Sequence, residues 1–78
     1  MRKAFEIALS NIDRHRWDKF SYFTLCEVAI QLVERGEGEY YINEALTRSR
    51  EAAERILDPH MTKRIRQFED RRRRLRHS

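Results

Sequence analysis

The stretch Glu69 to Ser78 reads EDRRRRLRHS and places five arginines in six positions: Arg71, Arg72, Arg73, Arg74 and Arg76. A guanidinium offers five N–H donors in a planar fork and keeps its charge at physiological pH, which suits phosphate oxygens. Lys63, Arg64 and Arg66 stand just upstream. A second basic group, RHRWDK, surrounds Trp17 with Arg14, His15, Arg16 and Lys19. An indole flanked by cations can hold single-stranded nucleic acid, with a base on the ring and phosphates on Arg14 and Arg16. The competing reading makes Trp17 a lid on the core between helices, and this is the expected role. Tyr41 is expected at the core edge.

Charge is unevenly spread. The chain carries a formal net charge of +4. Residues 1–57 hold nine Lys/Arg against ten Asp/Glu, whereas residues 58–78 hold eight against three. The whole positive excess therefore lies in the last 21 residues. A near-neutral body with one basic element is the pattern of a protein that meets a polyanion. On a helix, Arg71 to Arg74 spread through about 300° and surround the axis. Arg72 and Arg76 share a face with Glu69, and Arg73 shares one with Asp70 and Glu69, so local ion pairs absorb part of the charge.

Other chemistry is sparse. His15, His60, His77 and Cys26 share no spacing that would set several donors round a metal, so no metal and no cofactor is expected. Cys26 sits in an apolar run and reads as a small buried hydrophobe. Arg55 and His60 enclose four residues in RILDPH, a spacing that resembles helical ribonucleases of the HEPN type. This chain departs from that pattern at Ile56, where a polar residue is usual, and at Pro59, which breaks the helix between the pair. No catalysis is expected. TLCEVA resembles the opening of a helix-turn-helix, but the next helix would then begin at RGEGE, and Glu37 and Glu39 would face phosphates with the wrong sign.

A chain of 78 residues is expected to make one small domain with a modest core. No apolar stretch is long enough to span a membrane, and the narrow apolar face of 59–76 suits a membrane surface poorly. Glu6 and Asp13 interrupt the N-terminal apolar patch, which argues against a signal peptide. One cysteine permits no internal disulfide, so an intracellular, cytoplasmic setting is the simplest expectation.

The elements that must position these residues are helical. Two glycines, one proline and no alternating β-branched run give an all-α pattern of about four helices. The first spans roughly 2–15, with Phe5, Ala8, Leu9 and Ile12 on one face. The segment RHRWDKFSYF is then a loop or an early start of the second helix at Asp18. The second spans 24–35: Thr24 and Glu27 form a capping box, Phe23 and Val28 a staple, and Gly36 ends it. Only Glu27, Gln31 and Glu34 interrupt its apolar surface, which makes it the central helix. The third spans 40–57, with Ile42, Ala45, Leu46, Ser49, Ala52, Ala53 and Ile56 in a stripe. Asp58 and Pro59 then cap a fourth helix over 59–76, its Arg-rich end from residue 69 expected to fray.

Met61, Ile65, Phe68 and Leu75 form a heptad-like seam on that helix, with Arg72 in the gap. Two functions follow as expectations. One is a small non-enzymatic regulator that binds nucleic acid through the basic fourth helix. The alternative is a helical adaptor or inhibitor of the phage and mobile-element kind, whose seam meets a protein partner or a second copy.

Overall fold

The structure is a computed structural model that describes residues 2–77, the side chains of Arg76 and His77 excepted. Four α-helices follow one another: α1 (Arg2–Arg14), α2 (Lys19–Glu34), α3 (Tyr40–Ile56) and α4 (Pro59–His77). The all-α bundle expected from the sequence is what forms, with no strand among the described residues. α2 packs against the other three helices, and α3 also packs against α4.

The centrality of α2 follows from its composition. Tyr22, Phe23, Leu25, Cys26, Ala29, Ile30 and Leu32 are all buried, so no single neighbour could cover them. Each partner helix is amphipathic and turns one stripe inward. α1 contributes Phe5, Ala8 and Ile12. α3 contributes Ile42, Ala45, Leu46, Ser49 and Ala52. The small residues of α3 allow close approach to α2: the Ser49 hydroxyl donates to the Ala45 carbonyl at 2.7 Å and lies 3.4 Å from the Cys26 sulfur. Tyr41 packs at the core edge, its ring meeting that of Phe5 edge-on at 5.0 Å.

α2 takes the earlier of its two expected starts, not the one at Thr24. Asp18, not Thr24, is the N-cap: its Oδ1 accepts from the Phe20 amide at 3.0 Å. Thr24 lies inside the helix and donates its hydroxyl to the Phe20 carbonyl at 3.1 Å. The earlier start brings Tyr22 and Phe23 onto the buried face, and two extra aromatic side chains outweigh one alternative cap. The other end agrees with expectation. Gly36, at φ 91°, donates to Val33 O, and the Glu37 amide reaches Leu32 O at 3.0 Å, the paired bonds of a Schellman motif.

The link from α3 to α4 is two residues long. Leu57 closes α3 in the left-handed region, at φ 55° and ψ 40°, and its amide donates to Ala53 O. Asp58 then caps α4, Oδ1 accepting from the His60 amide at 2.9 Å. The second Asp58 oxygen takes a 2.6 Å hydrogen bond from Lys19, which ties this link to the start of α2. These two bonds, Lys19 foremost, hold the Asp58 carboxyl below the usual aspartate range.

Candidate nucleic-acid interface

α4 divides into an inner and an outer face. Met61, Ile65 and Phe68 are buried, and Leu75 is half-buried against the same core. The seam read from the sequence as a partner surface is thus a packing surface of the chain's own core. The spacing is the same in both cases, because a heptad-like row serves any neighbouring helix. Here the neighbours are α2, whose apolar surface requires a cover, and α3. Arg72, in the gap of the seam, is half-buried at the core edge. Its Nε is out of contact with solvent and has no described hydrogen-bond partner.

The arginines do not behave as one cluster. Glu27 of α2 draws two of them down onto α4's own aromatic ring. Arg71 bonds Glu27 Oε1 at 2.7 Å, and Arg64 approaches the same oxygen at 3.5 Å. Both guanidinium groups lie over Phe68, at 4.7 Å for Arg64 and 5.9 Å for Arg71. Arg64 also stands 5.5 Å from the Phe23 ring. These two side chains roof the α2–α4 seam by charge pairing and cation–π contact. Arg73 pairs with Asp70, and Glu69 receives Arg50 of α3 at 2.6 Å.

What remains outward is Lys63, Arg66 and Arg74. All three are exposed, and no described carboxylate pairs with them. At 3.6 residues per turn they fall within about 80° of the helix circumference, and from first to last they span about 16 Å. Arg73 flanks them. The Arg76 side chain lies outside the described residues.

No family model, curated protein or solved structure matches this chain.

The second basic group forms a different kind of site. Trp17 is 55% exposed, so it is not the lid on the core that the sequence suggested. The turn between α1 and α2 carries it outward, and the Tyr22 hydroxyl anchors that turn by donating to Arg16 O at 2.8 Å. Burial pushes the Tyr22 phenol above its ordinary pKa, so it stays a donor. A cleft of about 400 Å³ opens beside Trp17 between α1, α2 and α3. Its apolar wall is Ile12, Tyr22 and Ala52; its polar groups are Asp13, Arg16, Arg48, Glu51 and Arg55. The Arg55 guanidinium lies 5.9 Å from the Trp17 ring. Arg48 is held by Glu44 at 2.7 Å. Arg14 is exposed at the end of α1, outside the cleft lining.

Arg48 and Glu51 were not singled out from the sequence, and Arg55 stood out there only for its spacing to His60. A signal exists in their spacing of three and four, which puts them on one flank of α3. That flank meets Trp17 only because of how α1 and α2 turn. Glu27 was read as part of a cap, and nothing local shows that it would reach across to α4. The pairing of Arg55 with His60 is likewise absent: Arg55 turns to Trp17, whereas His60 meets the Phe23 ring edge-on.

Proposed function

We propose that this chain is a small non-enzymatic nucleic-acid-binding protein, held on a phosphate backbone by the outer face of α4. The carrying observation is the row Lys63, Arg66 and Arg74: three exposed cations on one side of a helix anchored by Met61 and Phe68, without carboxylate partners among the described residues. A rigid row of cations sets position and affinity through counterion release and carries little sequence information. Arg71 and Arg64 hold the helix in place, and Arg73 joins the row by releasing Asp70.

The test is fluorescence anisotropy of labelled duplex and single-stranded probes across a salt series. Three to four neutralised phosphates give a log–log salt slope of about −3 on duplex. Replacing Lys63, Arg66 and Arg74 together by alanine should cut low-salt affinity by roughly tenfold or more and flatten the slope, with the helical circular dichroism unchanged. Unchanged affinity in that variant overturns the reading.

A second reading, self-association, is favoured by the end of the bundle where the two turns meet. Phe20 and Leu57 are 59% and 79% exposed there, joined through the Lys19–Asp58 bond and close to Trp17 by way of Arg55 and Ile56. Apolar side chains gathered at one end suit a contact between copies. Light scattering across a concentration series tests it: a dimer mass that Phe20→Ser with Leu57→Ser abolishes supports it, and a monomer throughout removes it.

A further inference from the structure

We propose that the cleft between α1, α2 and α3 takes an unpaired base of single-stranded nucleic acid, stacked on Trp17 and read along its edge by Glu51, Asp13 and Arg16. The inference rests on the nucleic-acid reading above and adds to it a second site, of a different chemistry, away from the outer face of α4.

The first ground is the ring itself. Trp17 is half exposed and sits at the junction of two hollows, the cleft described above and a second one lined with Arg55 and Ile56. The Arg55 guanidinium, 5.9 Å from the indole centre, already sets one planar group of the chain against this ring. Every base has a π-face, and stacking on an exposed aromatic side chain is how single strands are commonly held. A base inside a duplex has both faces covered, so the site selects unpaired nucleotides.

The second ground is the charge balance. Arg16, Arg48 and Arg55 face Asp13 and Glu51, and Arg48 is already engaged by Glu44. With Glu44 counted, three cations meet three anions, so the cleft has little pull on a phosphate. Donors and acceptors side by side instead match the edge of a base. The side chains of Asp13 and Glu51 have no hydrogen-bonded partner among the described residues. A carboxylate there can accept from the ring N–H and exocyclic amine of guanine, while an arginine donates to its O6 or N7. Thymine offers a carboxylate one donor where guanine offers two. The order expected is therefore guanine-containing strands over oligothymidine.

The third ground is size. About 400 Å³ falls within the roughly 300–1,000 Å³ of small-molecule sites, and the apolar wall of Ile12, Tyr22 and Ala52 gives a base a dry backing.

Trp17 is the chain's single tryptophan, so tryptophan emission reports this one ring. The full chain is titrated with a short mixed guanine–thymine strand, an oligothymidine of equal length and a blunt duplex. Trp17 emission and the anisotropy of the labelled strands are followed in parallel. Saturable quenching by the guanine-bearing strand, weaker quenching by oligothymidine and none by bound duplex is the expected result. Trp17→Ala should lower single-strand affinity by roughly tenfold and leave duplex affinity unchanged. Glu51→Gln should erase the preference for guanine while Trp17 stays quenched. Binding of all three probes by anisotropy with unchanged Trp17 emission overturns the cleft and leaves the α4 reading intact. Quenching that survives alanine at Lys63, Arg66 and Arg74 while duplex binding is insensitive to those changes keeps the cleft and overturns the α4 reading. Equal quenching by duplex, or no binding of any probe, overturns the base site.

Discussion

Replacing Leu57 by glycine should make this protein more stable, although leucine is the larger and more apolar residue. Leu57 sits at φ 55° with its side chain 79% exposed. For a residue with a Cβ the left-handed conformation costs about 1–2 kcal/mol, because the Cβ crowds the following carbonyl. Glycine removes that crowding and restores the usual αL end of a helix. Against this stands the greater freedom of glycine in the unfolded chain, about 0.5–1 kcal/mol. Little burial is lost, since the side chain already faces solvent. The net is a gain of about 0.5–1 kcal/mol, which for a domain of this size raises Tm by about 3–6 °C. Leu57→Asn tolerates the same conformation without the full entropic cost and should gain at least as much. Leu57→Val, β-branched and more crowded, should lose stability. Thermal and urea unfolding followed by circular dichroism compares the four proteins. Glycine and asparagine variants that both melt below the parent would refute the reasoning and show that the Leu57 side chain contributes contacts in solution.

The two glycines of the α2–α3 turn should respond oppositely to alanine. Gly36→Ala places a Cβ at φ 91° and should cost about 1 kcal/mol, whereas Gly38 lies outside the left-handed region with open space at its Cβ, and Gly38→Ala should be neutral or add up to about 1 kcal/mol in a urea titration. Phe68→Ala should cost about 3–5 kcal/mol and bring the midpoint of urea unfolding close to zero denaturant, because its ring is fully buried beneath Arg64 and Arg71. A variant that melts near the parent would contradict its place in the core. Cys26 should resist an aromatic disulfide reagent at pH 8 in the folded protein and react at once in urea, since burial pushes its thiol up to about 11. A thiol whose pKa is raised by folding leaves stability intact below its unfolded value of about 8.5 and removes it as pH climbs toward the folded value, so urea midpoints should fall between those limits and Cys26→Ala should flatten the fall.

The bundle was largely legible in one dimension. Proline and glycine mark three of the helix ends, and stripes such as Phe5, Ala8 and Ile12 name the buried faces. The start of α2 was harder, because two capping patterns compete there. A start at Asp18 and a Thr24–Glu27 box both fit the local sequence, and the choice depends on whether Tyr22 and Phe23 find a neighbour to bury them. The site was less legible. A run of arginines announces charge, but each guanidinium is assigned by partners far away in the chain: Arg71 to Glu27, Glu69 to Arg50 and Arg55 to Trp17.

The sequence alone determined that this chain is helical, that residues 24–35 lie at its centre and that positive charge collects in the last helix. These follow from periodicity, breakers and composition, which act over a few residues at a time. Only the tertiary structure decided that the Met61–Phe68 seam closes the chain's own core, that Glu27 pairs with Arg64 and Arg71, and that Trp17 stands outside. Those outcomes depend on which helix faces meet. A side chain's role is set by the nearest group that satisfies it, and here that group lies on another helix.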